Sequence, residues 1–127
     1  QQGQTPAGKM ADAAHKFLET LSPEQRKQAT FAFDDPHRTA WFFTPQQDKQ
    51  KKSTRKGVRL EDLDAGQKAA ALDLLRAGLS TTGYDQATTI VSLESLLADL
   101  EKNGAMVRNP NWYFVSVFGD PSGTGAW

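Results

Sequence analysis

Apolar residues recur along the chain at spacings of three and four, and the polar residues between them carry helix start and stop signals. From Met10 onward, Ala13, Ala14, Phe17, Leu18 and Leu21 share one helical face. Ser22-Pro23 closes that helix and opens the next, with Ser22 as N-cap, Pro23 at the first helical position and Gln25 completing a capping-box pattern. The second helix is expected over about Pro23 to Phe33. Asp64 caps a third, again with Gln three residues on, and Leu72, Leu75 and Leu79 form its stripe, widened by Ala71 and Leu74. A fourth is expected between Ser80 and Asn103, where Ile90, Leu93, Leu97 and Leu100 keep the helical spacing and Gly104 ends it.

Two stretches read instead as strands. Thr39-Ala40-Trp41-Phe42-Phe43 is short, aromatic and closed by Pro45. Trp112 to Phe118 is the clearer one, apolar on both faces apart from Ser116, so both sides call for a cover. Residues 1–8, polar with Gly and Pro, read as a flexible tail. The stretch Gln46 to Arg59 has no apolar residue before Val58 and reads as a solvated loop. The expected class is α+β: an N-terminal helical layer packed on a mainly antiparallel sheet. Two strands do not make an independently stable sheet. Residues 9–127 are therefore expected to be the N-terminal part of a single domain, most of whose strands lie outside this chain.

Composition narrows the function classes. A length of 127 residues suits one domain, and fifteen basic residues balance fifteen acidic ones, so global charge draws no nucleic acid or other polyanion. Cysteine is absent, which removes disulfides, thiol catalysis and thiolate metal sites. No apolar run approaches the ~20 residues of a membrane-spanning helix. The opening Gln1-Gln2-Gly3-Gln4-Thr5-Pro6 looks like what remains after signal-peptide removal, so an exported protein, periplasmic or extracellular, is expected.

Candidate chemistry is sparse. Arg38 and Arg108 each lead into an aromatic strand, where a guanidinium can pair with a carboxylate or stack on a ring. With Trp41 and Trp112 they are the ligand-binding candidates. Asp34, Asp35 and His37 place two carboxylates and an imidazole in one turn, a set that could hold a divalent ion or share a proton, although turn chemistry also explains Asp and Pro there. His15, beside Asp12 and Glu19 on the first helix, lacks a third convergent ligand and reads as a surface residue. Lys49, Lys51, Lys52, Arg55, Lys56 and Arg59 make the 46–59 loop basic. The loop has no interleaved aromatics to stack on bases, and charge runs are normally solvated. Glu94, on an otherwise apolar helix segment, is a potential partner for Arg38 or Arg108. No nucleophile elbow, phosphate loop or triad is recognisable, so catalytic residues, metal and cofactor stay unassigned.

The run Arg108-Asn109-Pro110-Asn111-Trp112-Tyr113, then Phe118-Gly119-Asp120-Pro121 and Trp127, resembles the bacterial and fungal family called domain of unknown function 3500. Leu79-Ser80-Thr81-Thr82-Gly83-Tyr84, Ile90 with Leu93-Glu94, and Arg38 through Pro45 are similar to further family segments, and Gly57, Leu60 and Leu63 fit the approach to its central helix. The resemblance implies no assigned activity. It does imply a continuation beyond Trp127 that bears a glycine-histidine-histidine run, and agrees with export. Three functions are thus expected: a scaffold whose active or metal site is completed by that histidine-bearing part, a non-enzymatic extracellular binding module using surface aromatics, or polyanion binding through the basic loop. The expected partner is the C-terminal part of the same gene product or a second copy of the chain.

Overall fold

The computed structural model describes residues 4–122 and 124–127. Its class is α+β, built from α1 (Pro6–Thr20), α2 (Pro23–Ala29), α3 (Ala65–Gly78) and α4 (Thr81–Leu100) with four two-residue strands. Helix α1 starts a turn before Met10 because Thr5 caps it, its hydroxyl accepting from Gly8 N at 3.1 Å, and Pro6 fixes the first position. Residues 6–8 of the expected tail are therefore helical, while residues 1–3 lie outside the described residues.

Both expected capping boxes form, and they interlock. Gln25 and Gln67 each accept from their own cap, Ser22 N and Asp64 N, at 2.9 and 3.0 Å. Their amides also exchange hydrogen bonds of 2.8 and 3.2 Å. Gln67 donates further to Thr20 O, and Gln25 to Asp62 O, both at 2.8 Å. Gln67 is buried, and these bonds satisfy it. The starts of α2 and α3 and the end of α1 are thereby tied at one point.

Around that point lies the core: Phe17, Leu18, Leu21, Ala29, Val58, Leu63, Ala71 and Val117. Helix α3 presents Gln67 and Ala70 to it together with Ala71 and Leu74, the residues that widened the expected stripe, while the stripe's centre, Leu72, Leu75 and Leu79, remains more than a third exposed. Small residues at Ala14, Ala70 and Ala71 suit the close packing of α1 on α3, which turns the larger leucines aside.

The strands correct the sequence reading in three places. Helix α2 ends at Ala29, where Thr30 Oγ1 donates to Arg26 O, and Thr30–Phe31 form β1. The expected strand at Thr39–Phe43 is irregular chain following a single helical turn at Pro36–Arg38. The expected strand at 112–118 divides at Ser116 into β3 (Phe114–Val115) and β4 (Val117–Phe118). β3 pairs antiparallel with β2 (Val58–Arg59), and Leu60 N and Glu61 N continue the pairing onto Tyr113 O and Asn111 O. β4 instead runs parallel to β1, with Phe31 and Phe118 stacked at 5.1 Å between ring centres. The division has a steric cause at Gly57 (φ +102°), where a Cβ would lie 2.6 Å from Ser116 Oγ and 2.8 Å from Val115 O. Only glycine lets the 57–59 backbone approach the break.

Of the expected 46–59 loop, Val58 and Arg59 belong to β2, and the residues ahead of them form an organised turn. Asp48 Oδ1 accepts from Gln50 N and Lys52 N, Gln47 bridges to Ser53, and Lys51 takes a positive φ. Helix α4, capped by Ser80, meets the helical layer near its start, where the Arg76 guanidinium lies 4.4 Å from the Tyr84 ring centre. It buries no residue, and Ile90, Leu93, Leu96 and Leu100 stay exposed.

Candidate functional site

The strand pairings hold the 107–118 segment opposite the irregular 40–47 chain and the end of the basic turn, and a cleft of about 720 Å³ opens between them. That volume lies within the usual range for small-molecule sites. Its walls combine Trp112, Tyr113, Phe42 and Phe43 with Arg55, Lys56 and Arg108, and with Glu94 and His37 at the lining.

Side chains, not ladders, fix the rim. The Gln47 amide clamps the Val107 backbone at both ends, donating to Val107 O at 2.9 Å and accepting from Val107 N at 3.0 Å. Arg55 donates through one nitrogen to Phe42 O and Thr44 O at 3.1 and 2.9 Å. These bonds explain how Thr39–Phe43 keeps a definite path without strand neighbours. They hold Phe42 and Phe43 about half and four-fifths exposed beside the cleft.

Arg108 sits in the wall with its side chain 18% exposed, and its Nε donates to Glu101 Oε2 at 2.9 Å. That bond, with Glu94 acting through space, keeps its pKa above the usual arginine value. The Tyr113 phenol is also pushed up, first by burial and then by Glu94, while Arg108 opposes the shift. Glu94 thus serves Arg108 by its field, and Glu101 holds the direct contact. Trp112 donates its indole N–H to Glu61 Oε2 at 2.9 Å, and Asn109 and Arg59 reach the same carboxylate, so the indole ring is oriented. At the opposite end, Asp35 accepts from both the backbone N and the ring Nδ1 of His37 at 2.8 Å, which lowers the Asp35 pKa; among the described residues His37 Nε2 makes no hydrogen bond.

The sequence candidates divide accordingly. Arg108, Trp112, His37, Arg55 and Lys56 meet at the cleft. Arg38 does not: its guanidinium stacks 4.3 Å from the Phe33 ring centre. Trp41 is 82% exposed and outside the cleft wall. Asp34 is exposed and takes no part in the Asp35–His37 pair; among the described residues no three His, Asp or Glu side chains converge as metal ligands. His15 pairs with Glu19 on the surface of α1. The basic set is dispersed. Arg59 is bonded to Asp62 at 2.8 and 3.1 Å, Arg55 holds backbone carbonyls, Lys51 reaches Gly104 O, and Lys49 and Lys52 are exposed. Gln47 and Glu61 help to frame the site without having been singled out as site residues, because a glutamine or glutamate in a loop looks alike whether or not a partner awaits it.

The chain matches, over residues 3–127, the family described as Protein of unknown function (DUF3500), and it belongs to that family. Neither curated proteins nor solved structures gave a match.

Proposed function

We propose that this DUF3500 member is a binding module whose ligand seats in the cleft against Trp112 and between the 40–47 chain and Arg108. One observation carries the reading: the cleft's rim is pinned by the Gln47–Val107 and Arg55–Phe42/Thr44 bonds while its aromatic rings stay accessible. Preformed concavity with oriented polar groups and uncovered aromatics is how ligand sites are built. The reading keeps the exported, extracellular or periplasmic location expected from the sequence, and it assigns no reaction. The test is a titration of amide and indole N–H spectra with benzoate, benzyl alcohol, D-glucuronate and D-glucose. Shifts centred on the Trp112 indole, Val107 and the Gln47 side chain are expected. Shifts scattered over α1 or α3, or none with any probe, would remove the cleft as the site.

A second reading has its own support. The exposed Ile90, Leu93, Leu96 and Leu100 give α4 an apolar face with no cover among the described residues, which suits a scaffold that receives a further, histidine-bearing part. In a longer product carrying that part, α4 amides should exchange more slowly than in this chain. Equal exchange would dismiss it.

A further inference from the structure

The cleft's walls carry three cations, Arg55, Lys56 and Arg108, against one carboxylate, Glu94. Glu101 lies behind Arg108, Asp35 behind His37 and Glu61 behind Trp112, so the excess of cations is confined to the wall itself. Among the described residues, Nε→Glu101 is the sole hydrogen bond of the Arg108 side chain, and no buried side-chain nitrogen or oxygen lacks a partner. That side chain lines the cleft, and its two terminal nitrogens make no hydrogen bond to the protein among the described residues. A guanidinium held by Nε, with its terminal fork open, has the geometry that receives two oxygens of one planar anion. Lys56 makes no hydrogen bond to the protein among the described residues, and its charge reaches as far as the Asp35 carboxylate. Trp112 and Phe43, which line the same cleft, offer flat apolar surface, which favours a ring on the ligand.

We infer that the cleft selects a monoanionic carboxylate carried on a ring with an apolar face, its two oxygens on the Arg108 terminal nitrogens and its ring against the aromatic wall. The small charge excess suits one negative charge better than a phosphate dianion. The inference rests on the cleft being the binding site, and it names the chemistry that site prefers. Both an aromatic acid and a uronic acid present this chemistry, and the two probes separate these sources.

The experiment compares benzoate with benzyl alcohol, and D-glucuronate with D-glucose, by spectral titration of the protein and three variants. At least one acid should bind at least about tenfold more tightly than its neutral counterpart. Arg108→Gln should weaken that acid by about tenfold to a hundredfold and the neutral compound by a clearly smaller factor. Arg108→Lys should recover only part of the loss, because an ammonium lacks the fork. Lys56→Gln, which breaks no internal bond, should weaken the acid by a smaller factor and serves if Arg108→Gln alters the amide spectrum globally. Acid and neutral compounds binding alike in the cleft would overturn the inference and leave the cleft reading intact. Acid preference untouched by all three variants would also overturn it. No perturbation of the cleft by any probe would remove the cleft reading itself.

Discussion

Helices α1 and α4 carry the same kind of apolar spacing and meet opposite fates. The α1 face buries Ala14, Phe17 and Leu18 against α3 and the strands, whereas α4 leaves Ile90, Leu93, Leu96 and Leu100 in contact with water. The α1 pattern is the more sharply segregated, with its apolar residues confined to one face, whereas those of α4 spread around the helix. The difference lies also in what surrounds each helix. α1 is tied at its end to the Gln25–Gln67 knot, while α4 touches the layer near its start and is held at its end through Glu101 and Arg108. A stripe therefore reports that a helix can be covered, and the cover itself depends on partners distant in the chain.

Breaking the buried side of this comparison should have the largest effect. Phe17→Ala removes a fully buried ring and should destabilise the fold by about 3–5 kcal/mol in denaturant unfolding. A loss below about 1 kcal/mol would mean that the α1 face is no better covered than that of α4. Next comes the knot. Gln67→Ala leaves Thr20 O and the Asp64 N–H without their partner and should remove about 1–3 kcal/mol. Combined with Gln25→Ala, it should show a coupling of at least about 0.5 kcal/mol, since the two amides bond each other. Strict additivity would separate the two capping boxes.

The exposed side should respond weakly. Leu96→Ser on α4 should shift stability by no more than about 0.5 kcal/mol, and Leu75→Ala, despite its central place in the expected stripe, should fall well short of a core truncation. A loss at Leu96 close to that at Phe17 would show that α4 is covered in solution. The smallest effect is local to the cleft's rim. Asp35 is held below its usual 3.8, first by the His37 backbone N–H and then by the ring. A depressed folded-state pKa means that this contact stabilises above the unfolded-state value and is lost as pH falls through the folded one. Titration of the Asp35 carboxyl by NMR should place its midpoint below 3.8, and His37→Ala should move it upward. An unmoved midpoint would show that the backbone bond alone sets it.

The local chemistry of helix starts was legible from residues alone. Ser22 with Gln25 and Asp64 with Gln67 cap as their patterns demand, because capping needs only neighbours a few residues away. The resemblance carried by Arg108 through Tyr113 and by Phe118 through Pro121 likewise identified the family. A charge and an indole beside an aromatic stretch marked Arg108 with Trp112 and Arg38 with Trp41 alike, and only the first pair lines the cleft.

Tertiary structure decided the rest. It divided Trp112–Phe118 between two partner strands, since backbone pairing depends on which edge is near and Gly57 permits approach only beside Ser116. It turned the α3 leucines outward because small residues let α1 come close, and it left Thr39–Phe43 irregular because Arg55 satisfied carbonyls that a neighbouring strand would otherwise take. Above all, it made Gln47 a clamp on Val107 and gave Gln25 and Gln67 each other, contacts spanning 60 and 42 residues of chain. Periodicity and capping act within a turn or two, so the sequence by itself could determine which segments become helices and how they begin. Which faces are buried, and which polar side chains converge on a cleft, follows from closing long loops, and that information belongs to no single segment.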